Sequence, residues 1–584
     1  MRHLRMLCNS LIAGGLASGY LTALVLQLNP SLSRDAGTLL PIALVFGVAY
    51  GANLALVFYA VIVLRQILAV EVLSPGWLSV RLLSWLCTIA AGIGAALMWL
   101  NLRGFGGVLD PLTRNRLAVG AGIVSAAGMV FLFIALSHLG RRGGPASAAL
   151  LSTTMVLSVA LPVIARGPAR ETPLPARPIT AVAEPDASRL QANVTMLMFD
   201  GATLDVISPA VAAGRLPNIG RIFDNGAVLH LATLRPTQAE PAWSAIATGR
   251  HPMSNGVRSA EKYRAFGQPI QLLPDYCFAQ LLVSVGFMTA EPQTASDLTA
   301  RPIWNILSDH GVRVGVVGWP LTQPVPQVNG FVVSDGFHRL TAAEMPSAGA
   351  SAVWPPELLS DVQSALMTPA DPDPVALVSN MGAPQPVNDY DARRDPTPVV
   401  GDRVHLQLLT ALGPSAPRFL AVRFPGIDAV GHFFLRYANP SAFGDVSEEE
   451  HQRFGRVLDQ YYGFLDTLVG REMDRLGPEG LLLVVSAFGM EPLTPAKRVL
   501  ESIAGNPQIS GTHERAPDGF VLAFGPSIAA GRPPLASVFD LAPTLLYFLG
   551  LPVGRDMDGF ARIDWFKPAF TADAPVTYIP SYGR

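Results

Sequence analysis

The stretch from residue 481 to residue 490 reads LLLVVSAFGM, and it decides how the second half of the chain folds. Five consecutive apolar residues, Leu481–Val485, predict a buried strand. Ser486-Ala487-Phe488-Gly489 follows directly and indicates where this strand ends. In α/β folds, binding sites collect at the carboxyl ends of strands. The segment therefore predicts a buried strand and an edge at which a site is expected.

Four further apolar runs in the second half predict strands of the same kind. They alternate with helical patterns and turn residues, which favours an α/β layered fold with a mostly parallel central sheet. Asp200 and Asp428 lie at or just after the ends of two of these runs. The runs are Val194–Phe199, Val312–Val317, Phe419–Phe424 and Phe520–Phe524.

The first part of the chain has a different composition. Half of the 584 residues are hydrophobic and only 15% are charged, which is low for a soluble protein. A transmembrane helix needs about 20 apolar residues. The first apolar segment could also be a signal peptide, but more such segments follow and no clear cleavage site appears. We expect a helical membrane domain over 1–166, with about five spans at 7–28, 38–64, 81–100, 116–138 and 146–165.

The arginines between these segments predict the orientation of the domain. With the N-terminus in the cytoplasm, the cytoplasmic side holds Arg2, Arg5, Arg65, Arg81, Arg141 and Arg142. The other side holds fewer, namely Arg34, Arg103, Arg114 and Arg116. An odd number of spans then places the C-terminal domain outside the cytoplasm. The spans contain no mid-membrane acidic residue, so a plain anchor is expected rather than an ion path.

Residues 167–190 are rich in proline and alanine, and this composition predicts a semi-rigid linker before a domain at 191–584. Net charge is −2 with no basic stripe, which argues against nucleic acid as a partner. Three cysteines build neither a disulfide framework nor a Cys-x-x-Cys metal motif.

An ordered set of short motifs covers most of 192–563. In this order the motifs resemble the type I phosphodiesterase/nucleotide pyrophosphatase family of the alkaline phosphatase superfamily. The resemblance implies an alkaline phosphatase-like layered fold and, with the spans, a membrane-anchored bacterial member. The motifs are Phe199-Asp200-Gly201, Leu216-Pro217-Asn218-Ile219, Asn225-Gly226-Ala227, Trp243–Gly249, Trp304–Asp335, Gly426–His432, Gly511-Thr512-His513, Asp518-Gly519, Asp540–Thr544 and Leu549–Pro552.

Members of this family hold two metals, usually zinc, and the resemblance implies ligands for one of them here. The first site takes an Asp-x-x-x-His pair and a distant histidine, which correspond to Asp428, His432 and His513. A spacing of four residues places Asp428 and His432 on one face of a helix. Three such ligands form a complete protein set for one zinc. They could also be inherited residues that bind no metal.

The second metal site is incomplete in this sequence. The family places an Asp-His pair where this chain has Ala487 and Phe488. Asp200 matches the remaining aspartate, and it could bind metal or form hydrogen bonds at a strand end. Phe488 is expected to fill the core. We therefore expect one divalent metal, zinc, and no second one.

The nucleophile of the family is also missing. The resemblance places a Ser or Thr at the position of Ala239, and alanine has no oxygen that attacks phosphorus. Thr237 lies two positions away and Ser244 lies five positions away. Either could substitute only if the local backbone were rearranged. The catalytic residue therefore stays unknown, with Thr237 as a weak substitute.

Residues 339–400 lack the family pattern and are rich in proline, alanine and aspartate. Insertions of this kind in related folds often cover the site, so a loop-rich cap is one interpretation. Disorder is the other.

Three functions stay open on this sequence. The first is a phosphodiesterase or phosphotransferase acting on a lipid- or glycan-linked phosphate at the membrane. The second is an inactive pseudoenzyme that binds a phosphate-bearing ligand or an envelope protein. The third places the function in the spans, which lack polar residues and so favour it least. Membrane lipids are expected partners, and the bacterial inner membrane with a periplasmic C-terminal domain is the expected location.

Overall fold

The computed structural model describes residues 1–69, 73–137, 144–170, 188–265, 267–340, 344–380, 398–413, 417–503, 509–515 and 517–583. Arg141, Arg142 and most of the expected linker lie outside these ranges. The chain divides into two compact units. The first comprises Met1–Pro173 and Arg258–Pro292, and the second comprises Leu174–Val257 and Gln293–Arg584.

The first unit contains five helical segments that are long and apolar enough to cross a membrane. This confirms the five apolar helices predicted from the sequence. The second segment, Ala36–Leu68, contains a π-helical stretch at Gly47–Ala52. The other helices are Arg2–Leu28, Val80–Gly104, Pro111–Leu136 and Pro145–Ala165.

Two glycines explain the close contact between the first two segments. A Cβ atom on Gly14 would lie 2.2 Å from the carbonyl oxygen of Gly51, so only glycine fits at position 14. Small residues allow helix backbones to approach in this way in membranes. A Cβ atom on Gly51 would in turn lie 3.2 Å from the hydroxyl oxygen of Ser18 and 3.3 Å from the carbonyl oxygen of Gly14, so glycine eases the contact from both sides.

A three-stranded antiparallel sheet also belongs to the first unit, although it comes from the sequence range 258–292. Two asparagines at helix ends bind the stretch 271–275, which lies between two strands of this sheet. The Asn29 side chain accepts from the backbone N–H groups of Gln271 and Leu272, both at 2.9 Å. The Asn101 side chain accepts from the backbone of Asp275 at 2.8 Å. Residues 258–292 therefore group with the apolar helices, although they lie between two parts of the second unit in the sequence.

The strands are numbered β1 to β16 in chain order. They are β1 Val194–Phe199, β2 Ala227–Ala232, β3 Glu261–Ala265, β4 Gln268–Ile270, β5 Thr289–Pro292, β6 Val314–Val317, β7 Gly330–Val333, β8 Val353–Trp354, β9 Phe419–Phe424, β10 Leu481–Phe488, β11 Glu491–Pro492, β12 Gly511–Thr512, β13 Asp518–Phe524, β14 Ala536–Ser537, β15 Val553–Gly554 and β16 Tyr578–Ile579.

The main sheet of the second unit has nine strands within the described part of the chain, in the order β14-β2-β13-β10-β1-β9-β6-β7-β8. Five of its neighbouring pairs are parallel. The predicted α/β fold with a mostly parallel sheet is confirmed. Antiparallel neighbours flank β13, and β8 is antiparallel to β7.

Helices cover both faces of this sheet. Along β1, Leu197 and Phe199 pack in one apolar layer, and Met196 and Met198 pack in the other. A sheet that is buried on both faces produces continuous apolar runs instead of alternation. The helices are Leu204–Ala212, Pro217–Asn225, Ala239–Thr248, Pro252–Asn255, Ile303–Asp309, Met345–Ala352, Leu359–Leu366, Pro374–Asn380, Pro398–Leu412, Gly426–Ala438, Glu448–Phe454, Val457–Asp474, Pro495–Ile503, Leu541–Phe548 and Pro568–Ala572, with Gln280–Ser284 in the first unit.

Two details differ from the expectations. Strand β10 continues to Phe488, because Phe488 pairs with Asp518 of β13 and is buried. Within 339–400, the described residues form three helices and strand β8, and Val362 and Val378 are buried in the apolar core. Residues 341–343 and 381–397 of that insertion lie outside the described ranges.

Candidate active site

Three side chains that could hold a metal ion meet at the carboxyl edge of the main sheet. Asp428 and His432 lie one turn apart on the helix Gly426–Ala438, which follows β9, and His513 directly follows β12. Their ligand atoms all lie within 4.8 Å of one another. Asp428 Oδ1 lies 2.7 Å from His513 Nε2 and 3.7 Å from His432 Nε2. The structure thus brings together the three ligands that the motifs indicated.

Backbone carbonyls orient both imidazoles. His432 Nδ1 lies 2.8 Å from the carbonyl of Gly511, and His513 Nδ1 lies 2.7 Å from that of Gly489. A proton on each Nδ1 therefore leaves both Nε2 lone pairs directed at Asp428. Asp428 Oδ1 is buried, and the Nε2 atoms of His513 and His432 are its neighbours. Three lone-pair atoms that face one another in this way fit a divalent cation, and zinc suits this donor set.

The electrostatics of the three side chains are coupled. Burial raises the pKa of Asp428, but the two imidazoles outweigh this effect and lower that pKa to about 2. Burial lowers the pKa of His432. Burial also acts to lower the pKa of His513, but the carboxylate of Asp428 prevails and raises it. Without metal, His513 is therefore the imidazole that holds a proton beside Asp428.

The start of the metal-binding helix is fixed by a buried carboxyl group. Asp402 accepts from the backbone N–H of Gly426 at 2.8 Å and from the hydroxyl of Tyr461 at 2.7 Å. Burial raises the pKa of Asp402 to about 8. Gly201 approaches the same helix, and a Cβ atom there would lie 2.5 Å from Asp428 Oδ1. The close approach and its φ of +69° both require glycine at this position.

Asp200, the fourth expected ligand, has other partners. Arg423 Nε donates to its Oδ2 at 2.8 Å, and Trp243 Nε1 donates to its Oδ1 at 2.8 Å. The described metal-binding group comprises Asp428, His432 and His513 without Asp200. The structure shows hydrogen bonds at both carboxylate oxygens of Asp200, whereas its role as a metal ligand stays a prediction. A guanidinium at one oxygen would repel a nearby metal cation.

Arg423 comes from β9, next to β1 in the sheet, where it pairs with Met198. Its side chain is 14% exposed. Burial lowers its pKa, but Asp200, Glu240 and Asp335 more than compensate and raise it. Burial raises the pKa of both Asp200 and Glu240. The sequence interpretation missed Arg423 and Glu240, although one arginine in the apolar run FLAVRF was a visible signal.

Ala239 begins the helix Ala239–Thr248, and its methyl group offers no nucleophilic oxygen. Thr237 Oγ1 donates to the carbonyl of Leu234 at 3.1 Å. Ser244 is buried and donates to the carbonyl of Pro241 at 2.9 Å. Both candidate substitutes therefore use their hydroxyl groups in local backbone contacts.

Residues 194–531 match the sequence profile of the type I phosphodiesterase / nucleotide pyrophosphatase family. The chain belongs to this family. No curated protein is significantly similar to it in sequence.

The solved structures that are similar to this chain include three at low sequence identity. Murine ectonucleotide pyrophosphatase/phosphodiesterase 5, as an inactive variant in complex with AMP, is 14% identical, with a TM-score of 0.35. A second structure of that protein is 13% identical at the same TM-score. Each alignment covers 64% of this chain and 100% of the murine chain. Phosphonoacetate hydrolase from Sinorhizobium meliloti 1021, in complex with phosphonoformate, is 17% identical with a TM-score of 0.31, and the alignment covers 58% of this chain and 64% of that one.

This family member has apolar groups where the second metal ligands are expected. Ala487 is fully buried and Phe488 is 3% exposed. The ring centroid of Phe488 lies 4.8 Å from that of His513, with the two rings nearly perpendicular. Phe488 belongs to the core of the second unit, as expected, and it also packs against a ligand of the first metal site.

A cavity of about 770 Å³ opens beside the site in the second unit. Gly201, Gly431 and Met490 line it, and they adjoin Asp200, His432 and Gly489 in the sequence. The walls combine apolar side chains such as Ile427 and Leu435 with charged ones. The volume is within the range of small-molecule binding sites.

Proposed function

We propose that the second unit is a one-metal domain that binds a phosphoester without turning it over, tethered to a membrane by the first unit. The pseudoenzyme hypothesis is thus favoured over hydrolysis or phosphotransfer. The observation that carries this proposal is the ion pair between Arg423 and Asp200.

The argument rests on what a second metal does in such sites. It activates the nucleophile and stabilises charge on the reacting oxygens. A guanidinium supplies positive charge, but it has no open coordination position for a hydroxyl or a phosphate oxygen. With Arg423 bound to Asp200, and with Ala239, Ala487 and Phe488 in the expected positions, the activation step has no group to perform it.

The first metal site serves binding. Asp428, His432 and His513 would hold zinc, and three protein ligands leave one position for an exogenous ligand. The metal supplies a Lewis acid that attracts a phosphate oxygen. The backbone contacts of His432 and His513 keep the imidazoles in place for this role.

The adjacent cavity has room for a group attached to the phosphate of the ligand. Its volume exceeds that of a phosphate group, and its walls include Ile427, Leu435 and Leu458. Arg215 and Arg235 at the same cavity pair with Asp459 and Asp518. A phosphate linked to a lipid or glycan of the cell envelope has suitable chemistry, and the expected partner is such a ligand.

The test compares binding and turnover for one probe. Full-length protein in detergent with zinc is mixed with bis(p-nitrophenyl) phosphate, and both calorimetric binding and p-nitrophenol release are measured. We expect zinc-dependent binding that His513→Ala abolishes, and release no faster than in that variant. Release that needs Asp428 or Thr237 would reject the pseudoenzyme proposal and restore the enzymatic one.

The location is a separate part of the proposal. We place the C-terminal domain outside the cytoplasm of a bacterial inner membrane, because the N-terminal and interhelical arginines favour a cytoplasmic N-terminus. A reporter fused after Arg584 should be active only in the periplasm. Activity of a cytoplasm-specific reporter at this position would reject the orientation.

A further inference from the structure

The first unit has a group of arginines at one end of its apolar helices, and the proposed function does not use them. We call it the arginine cluster. The ends of three helices meet there, at Leu28, Pro111 and Ala165. The backbone N–H of Arg170 donates to the carbonyl of Pro30 at 2.8 Å, which ties two of these ends together. The members of the cluster are Arg34, Arg116, Arg166, Arg170 and Arg258.

Contacts within the unit connect these residues. Arg166 donates through Nε to the carbonyl of Leu26 at 2.7 Å and through Nη2 to that of Asn29 at 2.8 Å. A Cβ atom on Gly167, next to Arg166, would lie 2.9 Å from the guanidinium of Arg116. Arg166 also lies within electrostatic range of Arg34.

Arg258 joins the cluster from the segment that carries the small sheet. Its neighbour Ser259 donates to the carbonyl of Gln271 at 2.7 Å, and the backbone of Gln271 donates to the Asn29 side chain. Arg258 lies within electrostatic range of Asp110 and Arg170. These two form an ion pair at 2.6 Å. The Arg258 side chain therefore lies at the same helix ends.

Several buried polar atoms of the cluster lack partners. Arg258 is 3% exposed, and its Nε and Nη1 have no hydrogen-bond acceptor within the described ranges. Arg166 is 2% exposed, and its Nη1 also has no hydrogen-bond acceptor among the described residues. The hydroxyl of Thr113 is buried there and also unpaired. Buried guanidinium N–H groups without acceptors are unfavourable, so these donors call for an acceptor beyond those in the described part of the chain.

The acceptor must be an anion. Asp110 already accepts from Arg170 and from the backbone of Thr113. Asp35, next to Arg34, caps the following helix through the backbone of Thr38. Burial lowers the pKa of Arg258 to about 10, so it stays charged at neutral pH. Basic groups thus outnumber the acidic groups beside them, and fork-shaped guanidinium groups match phosphate oxygens well.

We propose that the arginine cluster binds the phosphate headgroup of an anionic phospholipid. The cluster lies at the end of apolar helices, where headgroups of the surrounding bilayer are found. Leu112 and Ile164 are exposed one and two positions from Thr113 and Arg166, at 44% and 61%, and offer an apolar surface for acyl chains. Basic pockets between membrane helices bind lipid headgroups by this chemistry.

The experiment titrates lipid into the full-length protein in detergent and counts bound lipids by native mass spectrometry. We expect phosphatidylglycerol to bind more than about tenfold tighter than phosphatidylcholine, since several arginines contribute. Arg258→Gln should weaken phosphatidylglycerol binding about fivefold, the effect of one basic group. The matched control is Arg114→Gln, because Arg114 is exposed at the start of the same helix as Arg116. It should change binding less than about twofold.

Equal binding of the two lipids would overturn the proposal, and so would equal effects of the two variants. If Arg258→Gln fails to fold, Arg116→Gln replaces it, because Arg116 is only half-buried. Inorganic phosphate at millimolar concentration forms a further arm, read as displacement of bound phosphatidylglycerol. We expect little displacement. Full displacement would show a site for soluble anions and would overturn the assignment to lipid.

Discussion

The two halves of the candidate site neutralise a buried carboxylate in different ways. In one half, the ligand atoms of Asp428, His432 and His513 face one another and could hold a cation from solution. In the other half, Asp200 is neutralised by Arg423, a cation of the chain itself. We call the first group, which could accept an exchangeable ion, the open half of the site. We call the ion pair of Arg423 and Asp200, with its surroundings, the closed half.

The closed half has not simply lost metal ligands, because other side chains pack into their place. Phe488 is buried against the imidazole of His513, and the indole of Trp243 donates to Asp200. Loss of ligands alone would leave Asp200 as a buried and unpaired carboxylate. The additional presence of Arg423 indicates that the altered half is a stable structure of its own.

The largest expected effect comes from breaking the closed half. Arg423→Met removes the only cationic partner recorded for Asp200 within the described structure and leaves a buried carboxylate, at a cost of about 3–5 kcal/mol. Thermal unfolding of the full-length protein measures it. Adding Asp200→Asn to that variant should recover part of the loss.

Arg418→Ala serves as the control for that comparison. Arg418 lies just before the same strand, but it is only half-buried and forms solvent-exposed hydrogen bonds with Gln191 and Asn193. Its replacement should cost no more than about 1 kcal/mol. A loss for Arg423→Met as small as this would contradict the closed-half interpretation.

A smaller effect is expected in the open half. Zinc at about one hundred times its dissociation constant should stabilise the wild-type protein by about 2.7 kcal/mol. His513→Ala removes one of three ligands and should abolish this stabilisation. His451→Ala is a matched control, because His451 also bonds a carbonyl through Nδ1, that of Tyr437, but lies outside the metal group. Zinc stabilisation that survives His513→Ala would rule out the assigned ligand set.

The smallest effect concerns pH. Zinc must displace the proton of His513. Burial acts to lower the pKa of this imidazole, but the carboxylate of Asp428 prevails and raises it. Below that pKa, zinc affinity should fall about tenfold per pH unit, since one proton is released on binding. Above it, affinity should level off with respect to His513. Calorimetry at pH values below and above that pKa, with His451→Ala as reference, gives the change in zinc affinity per pH unit. A pH-independent affinity would show that His513 is not a ligand.

The residues of the open half could be predicted because they match motifs of the family that the sequence resembles. Asp428 and His432 are four residues apart on a helix, and His513 follows a recognisable glycine-threonine pair. The absence of an oxygen at Ala239 was visible for the same reason. Motifs of this kind can be read from the sequence because their residues lie close together in the chain.

The closed half could not be predicted in full, because its partners meet only through the sheet. Arg423 and Asp200 are far apart in sequence and come together because β9 and β1 are parallel neighbours. The run Phe419–Phe424 predicted a buried strand correctly but gave no partner for its arginine. In the same way, chain order placed 258–292 in the second domain, whereas side-chain contacts of Asn29 and Asn101 associate it with the first unit.

The most direct test of the contrast between the two halves is the metal content of the purified full-length protein. Elemental analysis after zinc loading and removal of free metal should give one zinc per chain, and His513→Ala should give none. Arg423→Met should still give one in any protein that folds, because Ala487 and Phe488 offer no ligands. Two tightly bound metals per wild-type chain would contradict the account, since Asp200 would then have to leave Arg423 and bind metal.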